Sequence, residues 1–146
     1  MSNNNNEQLR TALGAQVGQY ENERAWQQQC YAENEAKISR LQEAKQAIQQ
    51  SKENVEACAD VWKTISLNFE ADQDWEGAHK NDILNCMSTA VETDYNTYIS
   101  NIDAVLDAIC DEITRLENEN WKTMGIIGHL SALINSLWNE ISKLFN

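Results

Sequence analysis

The chain has 146 residues, 42% of them hydrophobic, with five glycines, no proline and a formal net charge of −12. That length is enough for one domain with a core, and without proline few positions force a helix to stop. Eleven scattered cations against 23 acidic residues exclude a nucleic-acid binder, which needs clustered Lys and Arg to displace phosphate counterions, and disfavour docking on anionic lipid.

Gln, Glu, Ala, Lys, Leu and Asn dominate, and most of these lose little rotamer freedom in a helix. No window alternates polar and apolar residues as a half-buried strand would. The expectation is an all-α protein: a long antiparallel, coiled-coil-like helical hairpin with a C-terminal amphipathic helical segment, forming one domain over residues 1–146. Residues 1–6 are polar, lack the apolar segment of a cleavable signal peptide, and are expected to fray. The first arm covers residues 7–69. Leu13, Tyr20, Gln27, Asn34, Leu41, Ile48, Val55, Trp62 and Phe69 recur every seven residues, and Cys30, Ala44, Cys58 and Ile65 are assigned to the companion row three residues on. Between residues 24 and 37 this seam is polar, with Gln27, Asn34 and Lys37 in place of leucines, so the segment is expected to be less tightly held or to be completed by another chain.

Residues 70–77 form the turn, with Asp72 and Asp74 as candidate helix caps. Trp75 is expected to fill the end of the two-helix core and Gly77 to supply a positive φ or a close approach. The second arm covers residues 78–120. Leu84, Val91, Tyr98 and Val105 form one row, Tyr95, Ile102, Ile109 and Leu116 another, and Ile99, Leu106 and Ile113 widen the stripe beyond what two helices need. Gly125 and Gly128 are expected to bend the chain before the amphipathic segment, residues 121–146. Its seam is Ile127, Leu130, Ile134, Leu137, Ile141 and Leu144, flanked by Trp138. Its polar face (Asn135, Ser136, Asn139, Glu140, Lys143) has a single cation where a membrane-surface helix is rich in Lys and Arg, so a partner helix is the expected cover.

No chemistry is assembled along the chain. Two histidines, four widely spaced cysteines (Cys30, Cys58, Cys86, Cys110), no phosphate-binding glycine loop and no convergent acid–base pair imply no enzyme, no cofactor and no metal. The cysteines read as reduced thiols of a cytoplasmic protein. No run of 18 apolar residues exists, so no helix is expected to span a membrane. The interaction residues expected from the stripes are Tyr98, Ile99, Leu106, Ile113, Ile127, Leu130, Ile134, Leu137, Trp138 and Ile141.

Lys37-Ile38-Ser39-Arg40-Leu41-Gln42-Glu43-Ala44-Lys45, then Trp75-Glu76-Gly77, then the helix through Tyr95, Tyr98 and Ile102 to Leu116 resemble the Trp-x-Gly helical-hairpin superfamily of type VII secretion. More narrowly, residues 36–120 resemble the small helical proteins encoded beside LXG-domain toxins. The resemblance implies a non-catalytic adaptor or targeting chaperone that binds the helical N-terminal domain of such a toxin, often together with a second small helical protein, and presents it to a type VII system, either leaving with the cargo or staying in the cytoplasm. A Tyr-x-x-x-Glu at Tyr31 and Glu35 fits the form of an export motif, but it precedes the turn, whereas the superfamily carries its signal after the second helix. The same stripes also suit a self-assembling structural coiled coil.

Overall fold

The computed structural model describes residues 2–72 and 76–145. Trp75 and Asp74 lie outside the described residues, and so do the roles expected of them. Helix α1 runs Ser2–Ala71, 70 residues without a break. Helix α2, Ala78–Asn85, passes through a six-residue π-helical turn, Cys86–Val91, into α3, Glu92–Lys143. Cys86 and Glu92, at the two junctions, keep right-handed helical dihedrals, so the second half is also one continuous helical path. No strand occurs among the described residues, and the fold is all-α.

Three expectations are corrected. Helix begins at Ser2 rather than fraying to residue 6. Gly125 and Gly128 lie inside α3 without interrupting it, so residues 121–143 are the end of that helix and not a separate segment. The cap of α2 is Gly77, not an aspartate: its φ is +124°, it has no side-chain bond, and its carbonyl accepts from the Asn81 N–H. Lys80 ties the turn instead, donating to the Asp72 carbonyl and lying 6.0 Å above the Phe69 ring.

Contacts divide the chain into two units, Met1–Ser39 with Thr114–Asn146, and Arg40–Ile113. Each is an antiparallel pairing of a stretch of α1 with a stretch of α3. In the first, Val17, Ile134 and Ile141 form a buried cluster joined by Leu13, Tyr20 and Leu137. Ile38, Leu116 and Leu130 are buried in the same unit. The polar stretch of α1 meets polar partners inside the chain. Arg24 donates to Ser131 (3.4 Å), Asn34 to Glu119 (3.4 Å), and Asn120 to Glu35 (2.7 Å). Arg10 stacks 4.1 Å over the Phe145 ring. Lys37 faces solvent, and Ile38 takes the seam position beside it.

In the second unit the π turn and α3 pack back along α1. Lys52 meets Asp103 at 2.7 Å, Lys63 meets Glu92 at 4.0 Å, and the Trp62 indole N–H donates to the Met87 carbonyl at 3.5 Å. This unit is thinly packed: among the described residues only Met87 and Ile102 are buried.

Candidate partner-binding surface

The packing difference follows from which heptad row α1 turns inward. The seven-residue row Leu41, Ile48, Val55, Trp62, Phe69 is half-buried as expected. Its companions, however, are Lys45, Lys52, Ala59 and Ser66, four residues on, all half-buried. The expected companions Ala44, Cys58 and Ile65 are exposed. The fold therefore packs small and polar residues at alternate seam positions and leaves the more apolar row in water. α3 opposes this thin seam with the richer series Tyr95, Ile99, Ile102, Leu106, Ile109 and Ile113.

The π turn explains a second displacement. A π turn carries one extra residue, which rotates the following side chains by roughly 100° relative to those before it. Lys80 and Leu84 are half-buried before the turn, Met87 is buried within it, and Glu92, Tyr95 and Ile99 are half-buried after it. The row Leu84, Val91, Tyr98, Val105 thus starts on the seam and leaves it, so that Tyr98 and Val105 emerge 53% and 48% exposed. Ser88 and Thr89 hydroxyls return to the Asn85 carbonyl within the turn, the local bonding that such hydroxyls offer where the regular ladder is interrupted.

These two shifts build one apolar face. Val55, Cys58, Val61 and Ile65 from α1, Val91 from the π turn and Tyr98 from α3 line adjoining shallow hollows that share Tyr95. Val61 is 59% and Ile65 47% exposed. α1, the π turn and the start of α3 also line a groove of about 450 Å³, which shares Trp62 and Tyr95 with these hollows.

The structure redistributes the interaction residues expected from sequence. Leu130, Ile134 and Ile141 are buried within the first unit. Val17 of α1, with Leu13 and Tyr20 beside it, packs in one cluster with Ile134 and Ile141, so this part of the stripe is covered within the chain, a correction to its expected role. Ile99, Leu106, Ile113, Ile127 and Leu137 are half-buried in the seams, whereas Tyr98 and Trp138 remain exposed. Gly77 sits at the turn as expected. Tyr31 is half-buried and lines a shallow hollow with Glu35, Asn120 and Trp121, so the Tyr-x-x-x-Glu is engaged in pairing the helices. Val61, with the exposed Cys58 and Ile65, is the surface that hydropathy missed; the signal was two apolar rows competing on one helix.

None of Cys30, Cys58, Cys86 and Cys110 is in a disulfide. Among the described residues no three His, Cys, Asp or Glu side chains are grouped to hold a metal ion, and no helix is long and apolar enough to cross a membrane. What the geometry defines is an all-α protein of paired helices with an apolar face left open. A family model described as YwqH-like matches residues 10–143, and the chain belongs to the YwqH-like family. Neither the curated proteins nor the solved structures contain a match.

Proposed function

We propose that this protein is a non-catalytic adaptor that binds the helical N-terminal domain of an LXG-type toxin and escorts it to a type VII secretion system. The observation that carries this reading is the open apolar face of residues 40–113, set beside a seam that α1 fills poorly. Apolar surface of this kind on a two-helix pair is where a third or fourth helix gains its burial. At roughly 25 cal/mol per Å² of apolar area, covering several hundred Å² contributes several kcal/mol. The ordered resemblance to small LXG-associated proteins and the YwqH-like match support the choice of cargo.

The first unit, with its seam sealed, keeps the helices paired while the second receives cargo. Tyr98, Val61 and Ile65 are the contacts proposed for the toxin helix. Co-expression with the N-terminal domain of an LXG toxin encoded beside this protein, followed by size exclusion, tests the reading. Co-elution is expected, and separate elution of the two chains argues against an escort.

A further inference from the structure

Fifteen acidic and five basic residues fall between Arg40 and Ile113, so this unit carries −10 of the chain's −12. The 450 Å³ groove lies within that unit. Its floor is made by half-buried or buried Ala59, Trp62, Ser66, Met87, Tyr95 and Ile99. Ala59 and Ser66 stand at seam positions where a coiled coil places large aliphatic residues, and their small side chains leave the hollow. Its rim carries Glu56, Asp60 and Glu70 from α1 and Glu92 from α3. Lys63 is the one cation among the lining residues, 4.0 Å from Glu92. Leu67, 65% exposed, forms an apolar lip.

An apolar floor inside an acidic rim selects a ligand of the opposite pattern. We propose that this groove is the seat of a basic amphipathic helix from another chain, its aliphatic stripe over Trp62 and Met87 and its Lys or Arg residues beside Asp60 and Glu70. A second copy of this protein is a poor occupant, because two units of −10 repel one another. The inference rests on the adaptor reading and adds the chemistry of the partner: the helix that docks here is cationic.

The test uses the full-length protein and a dye-labelled 18-residue helical peptide of leucine and lysine, with a leucine–glutamate peptide of the same pattern as control, read by fluorescence anisotropy. Two variants probe the groove. Ser66→Leu fills the hollow and completes the seam, so it raises the melting temperature while weakening peptide binding at least tenfold. Asp60→Lys with Glu70→Lys, both on exposed positions, leaves the fold intact and weakens binding at least tenfold at low salt. The leucine–glutamate peptide does not bind. Lysine-peptide binding that ignores both variants, or equal binding of the two peptides, overturns the proposal. So does a homodimer in sedimentation that Ser66→Leu dissolves, since a second copy would then be the occupant. Lysine-peptide binding left unchanged by Ser66→Leu, with the toxin domain still co-eluting, overturns the groove and leaves the adaptor reading standing. Peptide binding without toxin co-elution by the native protein overturns the adaptor reading alone.

Discussion

At Gly77 the backbone has φ +124° and ψ −172°, a region essentially closed to residues with a Cβ. A Cβ there would meet nothing within 4 Å, so the cost of Gly77→Ala is backbone strain alone, about 1–3 kcal/mol, readable as a lower melting temperature. Asn120 presents the opposite case. It is 4% exposed at a seam position, donates to Glu35, and keeps its Oδ1 buried without a hydrogen-bond partner. A buried polar residue in a helical seam fixes register at a cost in stability. Asn120→Leu removes the orphaned acceptor and returns Glu35 to water, so it is expected to raise stability by about 1–2 kcal/mol in thermal or chemical denaturation. Lys52 adds a pH dependence. Its hydrogen bond to Asp103 leads in holding its pKa above the ordinary 10.5. A raised folded-state pKa means the contribution is fully present below that ordinary value and is lost as pH climbs through the folded one. The melting-temperature gap between the native chain and Asp103→Asn should therefore be constant from neutrality to about pH 10 and close above it.

At the scale of elements, the all-α class, the turn near residues 70–77 and the seam Ile127–Leu144 were legible because each rests on a strong period or a glycine. Two things were not. Hydropathy chose Cys58 and Ile65 over Ala59 and Ser66 as inward residues, and helix pairing chose the reverse. Periodicity also carried Leu84 straight through to Tyr98, since nothing in Cys86–Val91 marks an inserted residue. Packing decides both, because α2 and α3 each turn their own apolar side toward α1 and the π turn absorbs the mismatch. Deleting Thr89, an exposed residue of that turn, should restore a plain α-helix. It would then swing Leu84 and Met87 away from Trp62 by roughly 100°. A lower melting temperature with faster hydrogen exchange across Ala78–Asn85 is expected, and unchanged exchange there would show that the turn does not set the register.

Over the whole molecule, burial and openness are unevenly shared. Val17, Ile38, Leu116, Leu130, Ile134 and Ile141 are buried in the unit that pairs the chain's two ends, whereas the unit containing the turn buries Met87 and Ile102 and carries most of the negative charge. On the adaptor reading proposed above, stability resides in one unit and the seat for a partner helix in the other. The two properties should then separate under mutation. Ile134→Ala empties a site 4% exposed and is expected to cost about 2–5 kcal/mol, lowering the melting temperature while toxin-domain binding persists below the transition. Tyr98→Ala with Val61→Ser alters residues more than half exposed, so the melt should move little, whereas co-elution with the toxin domain should weaken. If the exposed pair instead shifts the melt as far as Ile134→Ala and leaves binding intact, the open face belongs to the chain's own packing and the cargo must be held elsewhere.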